Sequence, residues 1–266
     1  MIFGFSSILL QIDEQGVATL TLNRPDVHNA FDDKMIAEMT KALGELAKDP
    51  TVKILVIKSV GKHFSAGGDI AWMQKMIEAD ELANLKDADA LAQLMYQLSR
   101  FRKPTLAVVQ GNAYGGGVGL VACAHIAIAA NNAQFCFSEV KLGLIPAVIS
   151  PYIVRAIGQR NARAYFLTAK PFDATRAQQM GLCHHVVTPE QLEATANETI
   201  ATLLKNGPKA LLAVNELIDN MQTLDINEER VRMTAKTIAS LRISAEGQEG
   251  LNAFLQRREP SWAKTR

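Results

Sequence analysis

Short apolar runs and helix-spaced apolar residues alternate along the first half of the chain. The runs Ile8–Ile12 and Val17–Leu22 flank a polar stretch that ends in Gly16, which predicts a β-hairpin. Residues 53–57 form a third apolar run, of the length of a buried strand. Between the second and third runs, apolar residues recur at helical spacing: Phe31, Met35, Met39, Leu43 and Leu46. The order strand, helix, strand predicts a parallel crossover.

Polar residues and prolines mark where these elements begin and end. Asn29 or Asp32 is placed to cap the first helix, and Pro50 ends it. A second unit of the same kind follows, with helical spacing in residues 71–78 and then at Leu85, Ala88, Leu91, Met95 and Leu98. Residues 80–89 are mainly polar, and their pattern defines no boundary.

The spacing becomes helical toward the C-terminus. Short strands are predicted at 126–129 and 134–137, and helical segments dominate from Pro151 onward. We therefore place an α/β core in residues 1–190 and a helical region in residues 191–266. The helices of this second region carry more apolar face than the region alone can bury, which favours association with another subunit.

Composition narrows the class of protein. The 266 residues are 48% hydrophobic, and 28 basic and 27 acidic residues give a net charge of +1. This balance favours neither nucleic acid nor an anionic membrane as a partner. No apolar run approaches the roughly 20 residues of a membrane-spanning helix. The apolar segment 1–12 lacks a basic leader, so we expect no signal peptide and a cytoplasmic location.

Cysteine and histidine positions predict neither a disulfide nor a metal site. Cys123, Cys136 and Cys183 are odd in number and lack metal-binding or redox spacing, which is typical of buried thiols. His184 and His185 are adjacent on a predicted strand, so their side chains face opposite sides. We expect no bound metal.

Two glycine-rich turns carry the most specific pattern in the chain. The first lies within residues 62–70 and the second within residues 110–120; each follows an apolar run and leads into a helical segment. Such turns leave backbone N–H groups unpaired at the positive end of a helix dipole. The second turn fits neither G-x-G-x-x-G, because position 120 is leucine, nor a phosphate loop, because no lysine is near.

An oxyanion hole is the third interpretation of these turns. It requires two N–H donors, and one donor from each turn, around Ala66 and around Gly116, would complete it if both turns meet at one sheet edge. Two ordinary tight turns remain the alternative.

Acidic and apolar side chains near these turns suggest further roles. Glu139 follows a predicted strand among apolar residues, where desolvation raises a carboxyl pKa and suits it to proton transfer; a surface or capping glutamate is the competing interpretation. Asp69 follows two glycines and is predicted to orient the first turn or to cap the helix after it, with direct catalysis as the competing interpretation. Trp72, Met73 and Met76 share one face of that helix, and they line an acyl pocket or pack in the core.

These motifs together resemble the enoyl-CoA hydratase/isomerase (crotonase) superfamily. The resemblance rests on Phe64-Ser65-Ala66-Gly67-Gly68-Asp69-Ile70, on Gly115-Gly116-Gly117, and on Ser138-Glu139 with Gly143–Pro146, and it covers nearly the whole chain. It implies an α/β spiral of ββα units with a C-terminal helical trimerisation region, hence a homotrimer or homohexamer. It also implies an acyl-CoA thioester substrate, so coenzyme A arrives with the substrate and no separate cofactor is expected.

The resemblance assigns roles to individual residues. The N–H groups of Ala66 and Gly116 would hold the thioester oxygen, which becomes charged as the α-carbon loses or gains a proton. Glu139 would be the acid–base. The first turn and residues 28–30 would hold the coenzyme A portion. The other predicted substrate contacts are Arg24, His28, Ala30, Gly67, Gly68, Asp69, Ile70, Gly115 and Gly119.

Position 119 departs from the pattern of typical hydratases. These carry a second glutamate three residues after Gly116, where this sequence has Gly119, and no Asp or Glu occurs between Gly111 and His125. The isomerase branch works with a carboxylate at position 139 only. Residues 66–73 and 146–152 nevertheless resemble bacterial methylglutaconyl-CoA and isohexenylglutaconyl-CoA hydratases, whose substrates carry a second carboxylate.

Three functions therefore remain open. The first is hydration of a branched or carboxylated enoyl-CoA, in which the substrate carboxylate, or a water that it holds, covers part of the missing role. The second is Δ3,Δ2-enoyl-CoA isomerisation, in which Glu139 moves one proton. The third is a non-catalytic RNA-binding role, which a few relatives show and which the near-neutral charge disfavours.

Overall fold

The structure is a computed structural model that describes residues 4–221 and 225–263. It confirms the mixed α/β class. The predicted hairpin is present, since β1 (Ile8–Ile12) pairs with β2 (Val17–Leu22) in antiparallel register from Ile8 opposite Leu22 to Ile12 opposite Ala18. The predicted crossover is also present, because β2 runs parallel to β3 (Ile54–Ser59).

A six-stranded sheet forms the centre of the fold. Its order is β1-β2-β3-β4-β6-β9, and every pair except the hairpin is parallel. The remaining strands of this sheet are β4 (Thr105–Val109), β6 (Ile126–Ala130) and β9 (His185–Val187). All five residues of β4 are buried, and the four after Thr105 are apolar, as expected of a parallel strand covered on both faces.

A second, three-stranded sheet stands beside the glycine turns. It has the order β5-β7-β8, formed by β5 (Ala113–Tyr114), β7 (Gln134–Cys136) and β8 (Phe172–Asp173). Strand β5 is also bridged to Ser65, a residue of the first glycine turn. This bridge joins the two turns directly.

The described residues contain ten α-helices. They are α1 (Asp33–Lys48), α2 (Ile70–Glu78), α3 (Glu81–Ser99), α4 (Gly116–Cys123), α5 (Ser150–Thr168), α6 (Ala174–Met180), α7 (Pro189–Leu204), α8 (Pro208–Asn220), α9 (Glu228–Ile243) and α10 (Ala245–Leu255). Asp32 caps α1 through Met35 N–H, whereas Asn29 is not the cap. The polar stretch 80–89 forms the start of α3. Asp80 caps this helix, and the first turns of α3 are largely exposed to solvent, which accounts for their polar sequence.

The chain forms two compact units. The first comprises residues 1–101 and 105–197, and the second comprises residues 102–104 and 198–266. The first unit holds the hydrophobic core and both glycine turns. In the second unit, α8 and α9 contain no buried residue. No helix within residues 4–221 and 225–263 has the length and apolar character needed to cross a membrane.

Candidate active site

The two glycine turns lie against each other. Tyr114 N–H donates to the Ser65 carbonyl at 2.9 Å, and Phe64 N–H donates to the Asn112 carbonyl at 2.9 Å. A Cβ atom built on Gly67 would lie 3.2 Å from the Tyr114 carbonyl oxygen, so only glycine permits this approach. The convergence predicted from the sequence is therefore present.

The first turn presents a free N–H group at Gly68 rather than at Ala66. Ala66 N–H donates to the His28 carbonyl at 3.0 Å, and Gly67 N–H donates to the Ser65 hydroxyl at 3.3 Å. Gly68 is exposed, and its N–H donates to no protein acceptor in the part of the chain that the structure describes. The predicted donor at Ala66 is thus already engaged, and the available donor is two residues further along.

The second turn presents its free N–H group at Gly116, as the sequence predicts. Helix α4 begins at Gly116, four residues before its predicted start at residue 120, because the glycines themselves adopt helical geometry after Gly115 (φ 49°). Gly115 N–H donates to the Cys136 carbonyl at 3.0 Å, whereas Gly116 N–H has no acceptor among the described residues. As the first residue of a helix, Gly116 offers this N–H with the positive end of the helix dipole.

Glu139 lies directly beside the second turn. It opens a 3-10 helix, Glu139–Leu142, and a Cβ atom on Gly115 would lie 3.1 Å from its Oε1. Burial raises the pKa of Glu139, and its Oε2 is buried without a hydrogen-bond partner among the described residues. A carboxyl group with a raised pKa and an unpaired oxygen is suited to give and take a proton.

The space beside Gly119 is filled by apolar side chains. A Cβ atom built there would overlap Ile149 Cγ2 and would lie 3.2 Å from Met95 Cε. Ile149 and Met95 are 3% and 0% exposed, so neither has free volume into which to retreat. Position 119 thus has no room for any side chain. Ile149 and Met95, which we call the packed wall, occupy the space where typical hydratases carry the second carboxylate. This role of Ile149 was not predicted, because no spacing rule connects residue 149 with residue 119.

Arg24 and Asp69 belong to one polar cluster. Asp69 caps α2 through Ala71 N–H at 2.9 Å, which confirms the predicted cap, and it also contacts Arg24 Nη2 at 3.0 Å. Arg24 Nη2 contacts Asp32 at 3.0 Å, and its Nη1 donates to the Ala30 carbonyl at 2.6 Å. Both terminal nitrogens of Arg24 are therefore engaged with protein groups.

Residues 28–31 form the support on which the first turn rests. His28 and Asn29 have left-handed backbone conformations, both with φ of 55°. The buried Asn29 side chain donates to the carbonyls of Val60 and His63 at 2.8 and 2.9 Å. Phe31 N–H donates to the Gly67 carbonyl at 2.7 Å. The segment thus holds the turn through its main chain and the Asn29 side chain, which sequence spacing did not reveal.

Helix α2 partly covers Gly68. A Cβ atom on Gly68 would lie 3.3 Å from the Trp72 ring and 3.5 Å from Met73, and Trp72 Nε1 donates to Asp87 of α3 at 2.9 Å. Burial raises the pKa of Asp87 despite this hydrogen bond. Ile70, a predicted substrate contact, is 73% exposed. These side chains place an apolar wall next to a free donor, as a pocket for an acyl chain requires.

Histidines and cysteines form no further chemical site in the described chain. His184 Nδ1 accepts Ala127 N–H at 3.1 Å, and His185 is exposed. All three cysteines are free and buried, and burial raises the pKa of Cys123 and Cys183. No group of three metal-binding side chains occurs in residues 4–221 and 225–263.

Known proteins are similar to this chain in both sequence and fold. Residues 13–265 match the enoyl-CoA hydratase/isomerase family. An enoyl-CoA hydratase from Shewanella pealeana has 46% identity over 97% of both chains, with a TM-score of 0.93. A trans-2-decenoyl-[acyl-carrier-protein] isomerase from Streptococcus mutans is 31% identical over 97% of this chain and 98% of its own.

A third relative is a 2,3-dehydroadipyl-CoA hydratase from Escherichia coli, with 29% identity over 96% of this chain and 98% of its own. The family match spans nearly every element described above, including both glycine turns and Glu139. The chain belongs to the enoyl-CoA hydratase/isomerase family.

Proposed function

We propose that this protein hydrates a branched or carboxylated enoyl-CoA with Glu139 as its single acid–base. The observation that carries the proposal is the packed wall at Gly119, which leaves no room for a second protein carboxylate on that face of α4. A substrate that brings its own carboxylate supplies the group that the protein lacks. The family includes a relative named for such a substrate, the 2,3-dehydroadipyl-CoA hydratase.

The oxyanion hole of this proposal is formed by Gly68 and Gly116. Both N–H groups lack protein acceptors, whereas Ala66 N–H is engaged by His28. Negative charge develops on the thioester oxygen as the enolate forms, and each donor contributes about 2.7–4 kcal/mol to its stabilisation. Gly68 therefore replaces Ala66 in the assignment.

Glu139 moves the proton in this reaction. Water adds its oxygen to the β-carbon, its proton passes to the Glu139 carboxylate, and the carboxyl group returns a proton to the α-carbon of the enolate. The raised pKa of Glu139, caused by burial, brings the acid and base forms closer in energy near neutral pH. The substrate carboxylate, or a water that it holds, orients the attacking water in place of a second glutamate.

A matched pair of substrates in ¹⁸O-labelled water tests this function. We expect 3-methylglutaconyl-CoA to gain one labelled oxygen, and crotonyl-CoA, which lacks the second carboxylate, to react at least about tenfold more slowly, equivalent to ~1.4 kcal/mol. Product mass and initial rate are the measurements. Equal rates on both substrates would contradict the role given to the substrate carboxylate.

Isomerisation is the second candidate, and the apolar surroundings of Gly119 favour it. Ile149 and Met95 offer no hydrogen bond to an attacking water, whereas a Δ3-to-Δ2 shift needs only one proton carrier. The relative named as an isomerase, from Streptococcus mutans, shows that the family includes this outcome. In the same labelled water, a 3-enoyl-CoA would become a 2-enoyl-CoA without gaining oxygen.

Assembly into homotrimers or homohexamers is part of the proposal. Several large apolar side chains of the second compact unit are at least 48% exposed, and they include Val214, Ile218, Val231, Ile238, Ile243 and Phe254. Surfaces of this kind usually contact another protein. Light scattering on the purified chain is expected to give three or six times the 29.0 kDa of one chain; a stable monomer would contradict this part.

A further inference from the structure

The geometry points to Arg24 and Asp69 as positioning residues that hold the Gly68 N–H group in place for the reaction. The inference rests on the proposed oxyanion hole and goes beyond it, because the family resemblance implies that Arg24 and Asp69 contact the substrate, whereas the geometry gives their side chains a role through the main chain of the first turn. Arg24 and Asp69 lie 45 residues apart in sequence, yet their side chains meet at 3.0 Å beside the first turn.

Backbone hydrogen bonds fix both neighbours of Gly68. Phe31 N–H donates to the Gly67 carbonyl at 2.7 Å, and Asp69 N–H donates to the Phe31 carbonyl at 2.8 Å. In an extended segment, the N–H and carbonyl of a residue point away from the side used by its neighbours. Gly68 N–H is therefore directed away from Phe31, and it stays unpaired.

The Arg24 side chain adds a second connection between the same two segments. Arg24 Nη1 donates to the Ala30 carbonyl, next to Phe31, while Arg24 Nη2 contacts the carboxylate of Asp69, next to Gly68. Main chain and side chains thus join residues 30–31 to residues 68–69 at two points. The Asp69 side chain is only 10% exposed, so water competes little for this contact.

Asp32 provides a matched control for Asp69. It also contacts Arg24 Nη2 at 3.0 Å, and it also caps a helix, through Met35 N–H at 2.8 Å. That helix is α1, which carries none of the proposed donors. Asp69→Asn and Asp32→Asn each remove one negative charge from Arg24 and leave an oxygen for the cap, so they differ in which segment they release.

We expect Asp69→Asn to lower kcat by about 10- to 100-fold with little change in KM, because a donor displaced by a fraction of an ångström stabilises the transition state less than it did before. Asp32→Asn is expected to change kcat less than about fivefold, because the helix that it caps carries neither proposed donor and both donors keep their positions. Arg24→Lys, which keeps the charge but not the two-nitrogen contact, should fall between wild type and Arg24→Ala.

Amide hydrogen exchange supplies a readout that is independent of turnover. Exchange within residues 66–70 should be faster in Asp69→Asn than in Asp32→Asn. Equal exchange and equal kcat in the two variants would overturn the inference, as would a raised KM with unchanged kcat, which indicates direct substrate binding. If the wild type turns over no enoyl thioester, the proposed function fails, and the exchange comparison still decides whether Asp69 holds Gly68.

Discussion

The two glycine turns present one free N–H group each, but they are held in different ways. The first turn depends on side chains from distant positions, since Arg24 and Asp69 tie it to residues 30–31. The second turn depends on close backbone packing, since a Cβ atom on Gly117 would lie 2.8 Å from Ser65 Cβ. Substitutions of the polar side chains Arg24 and Asp69 should therefore disturb the first turn, and volume added at Gly117 should disturb the second.

The turns also differ in the carboxyl group that accompanies each. Asp69, beside the first turn, is paired; burial raises its pKa, but hydrogen bonds from Trp72 N–H, Arg24 and Ala71 N–H outweigh that effect and lower it overall. Glu139, beside the second turn, is unpaired at Oε2, and burial raises its pKa. One carboxylate is fixed in its charged form for structure, and the other is free to change its charge.

Glu139→Gln should have the largest effect. The amide keeps the size of the side chain but carries no transferable proton at neutral pH, so kcat is expected to fall by about 10²–10⁴-fold. Binding of coenzyme A, measured by calorimetry, should stay within about twofold of wild type. Asp69→Asn serves as the comparison, because its smaller loss in kcat separates positioning from proton transfer. Unchanged turnover in Glu139→Gln would remove Glu139 from the reaction.

Alanine substitutions at Gly117 and Gly68 compare how tightly the main chain of the two turns is packed. Gly117→Ala forces its Cβ against Ser65, and we expect a loss of about 1–3 kcal/mol in the free energy of unfolding, together with reduced kcat. Gly68→Ala places its Cβ 3.3 Å from the Trp72 ring and 3.5 Å from the flexible Met73, so it should cost less than about 1 kcal/mol and retain activity. Urea denaturation and steady-state rates on both variants are the measurements. Equal destabilisation would contradict the contrast between the turns.

Local sequence patterns predicted most of the fold and only part of the site. The hairpin, β3 and α1 followed from apolar spacing, and Gly116 and Gly115 followed from the turn that leads into α4. These features depend on residues close in sequence. The boundary of α4 was predicted four residues late, because glycine has low helix propensity and the packing of Gly117 and Gly119 overrides it.

Contacts between distant segments explain what the sequence left out. Choosing between Ala66 and Gly68 as donor required knowing that His28, 38 positions earlier, accepts the Ala66 N–H. The wall at Gly119 required knowing that Ile149 packs there. Both facts depend on tertiary contacts between elements that are distant in sequence, and neither residue type nor periodicity predicts such contacts.

Paired substitutions at positions 119 and 149 test whether Ile149 packs directly against Gly119 of the second turn. Gly119→Ala alone overlaps Ile149 and is expected to cost about 1–3 kcal/mol of unfolding free energy. Ile149→Ala alone should cost about 2–4 kcal/mol through the cavity that it leaves. In the double variant the two volume changes offset each other, so the cost should be at least about 1 kcal/mol below the sum. Additive costs would mean that the two side chains do not share this space.

The smallest expected effect concerns how the free energy of unfolding changes with pH. The contribution of Asp69 and the contribution of Glu139 should change in opposite directions. The lowered pKa of Asp69 means that its stabilisation is present above its unfolded pKa, about 3.9, and is lost as pH falls through the folded pKa. The raised pKa of Glu139 means that its burial costs stability above the folded pKa, and this cost disappears as pH falls toward the unfolded value, about 4.3. Acidification should therefore shrink the stability advantage of wild type over Asp69→Asn. Over the same range, it should improve the stability of wild type relative to Glu139→Gln. Urea denaturation of the three proteins between about pH 3 and pH 7 measures both trends. Trends of the same sign would mean that folding does not shift the pKa values of the two carboxyl groups in opposite directions.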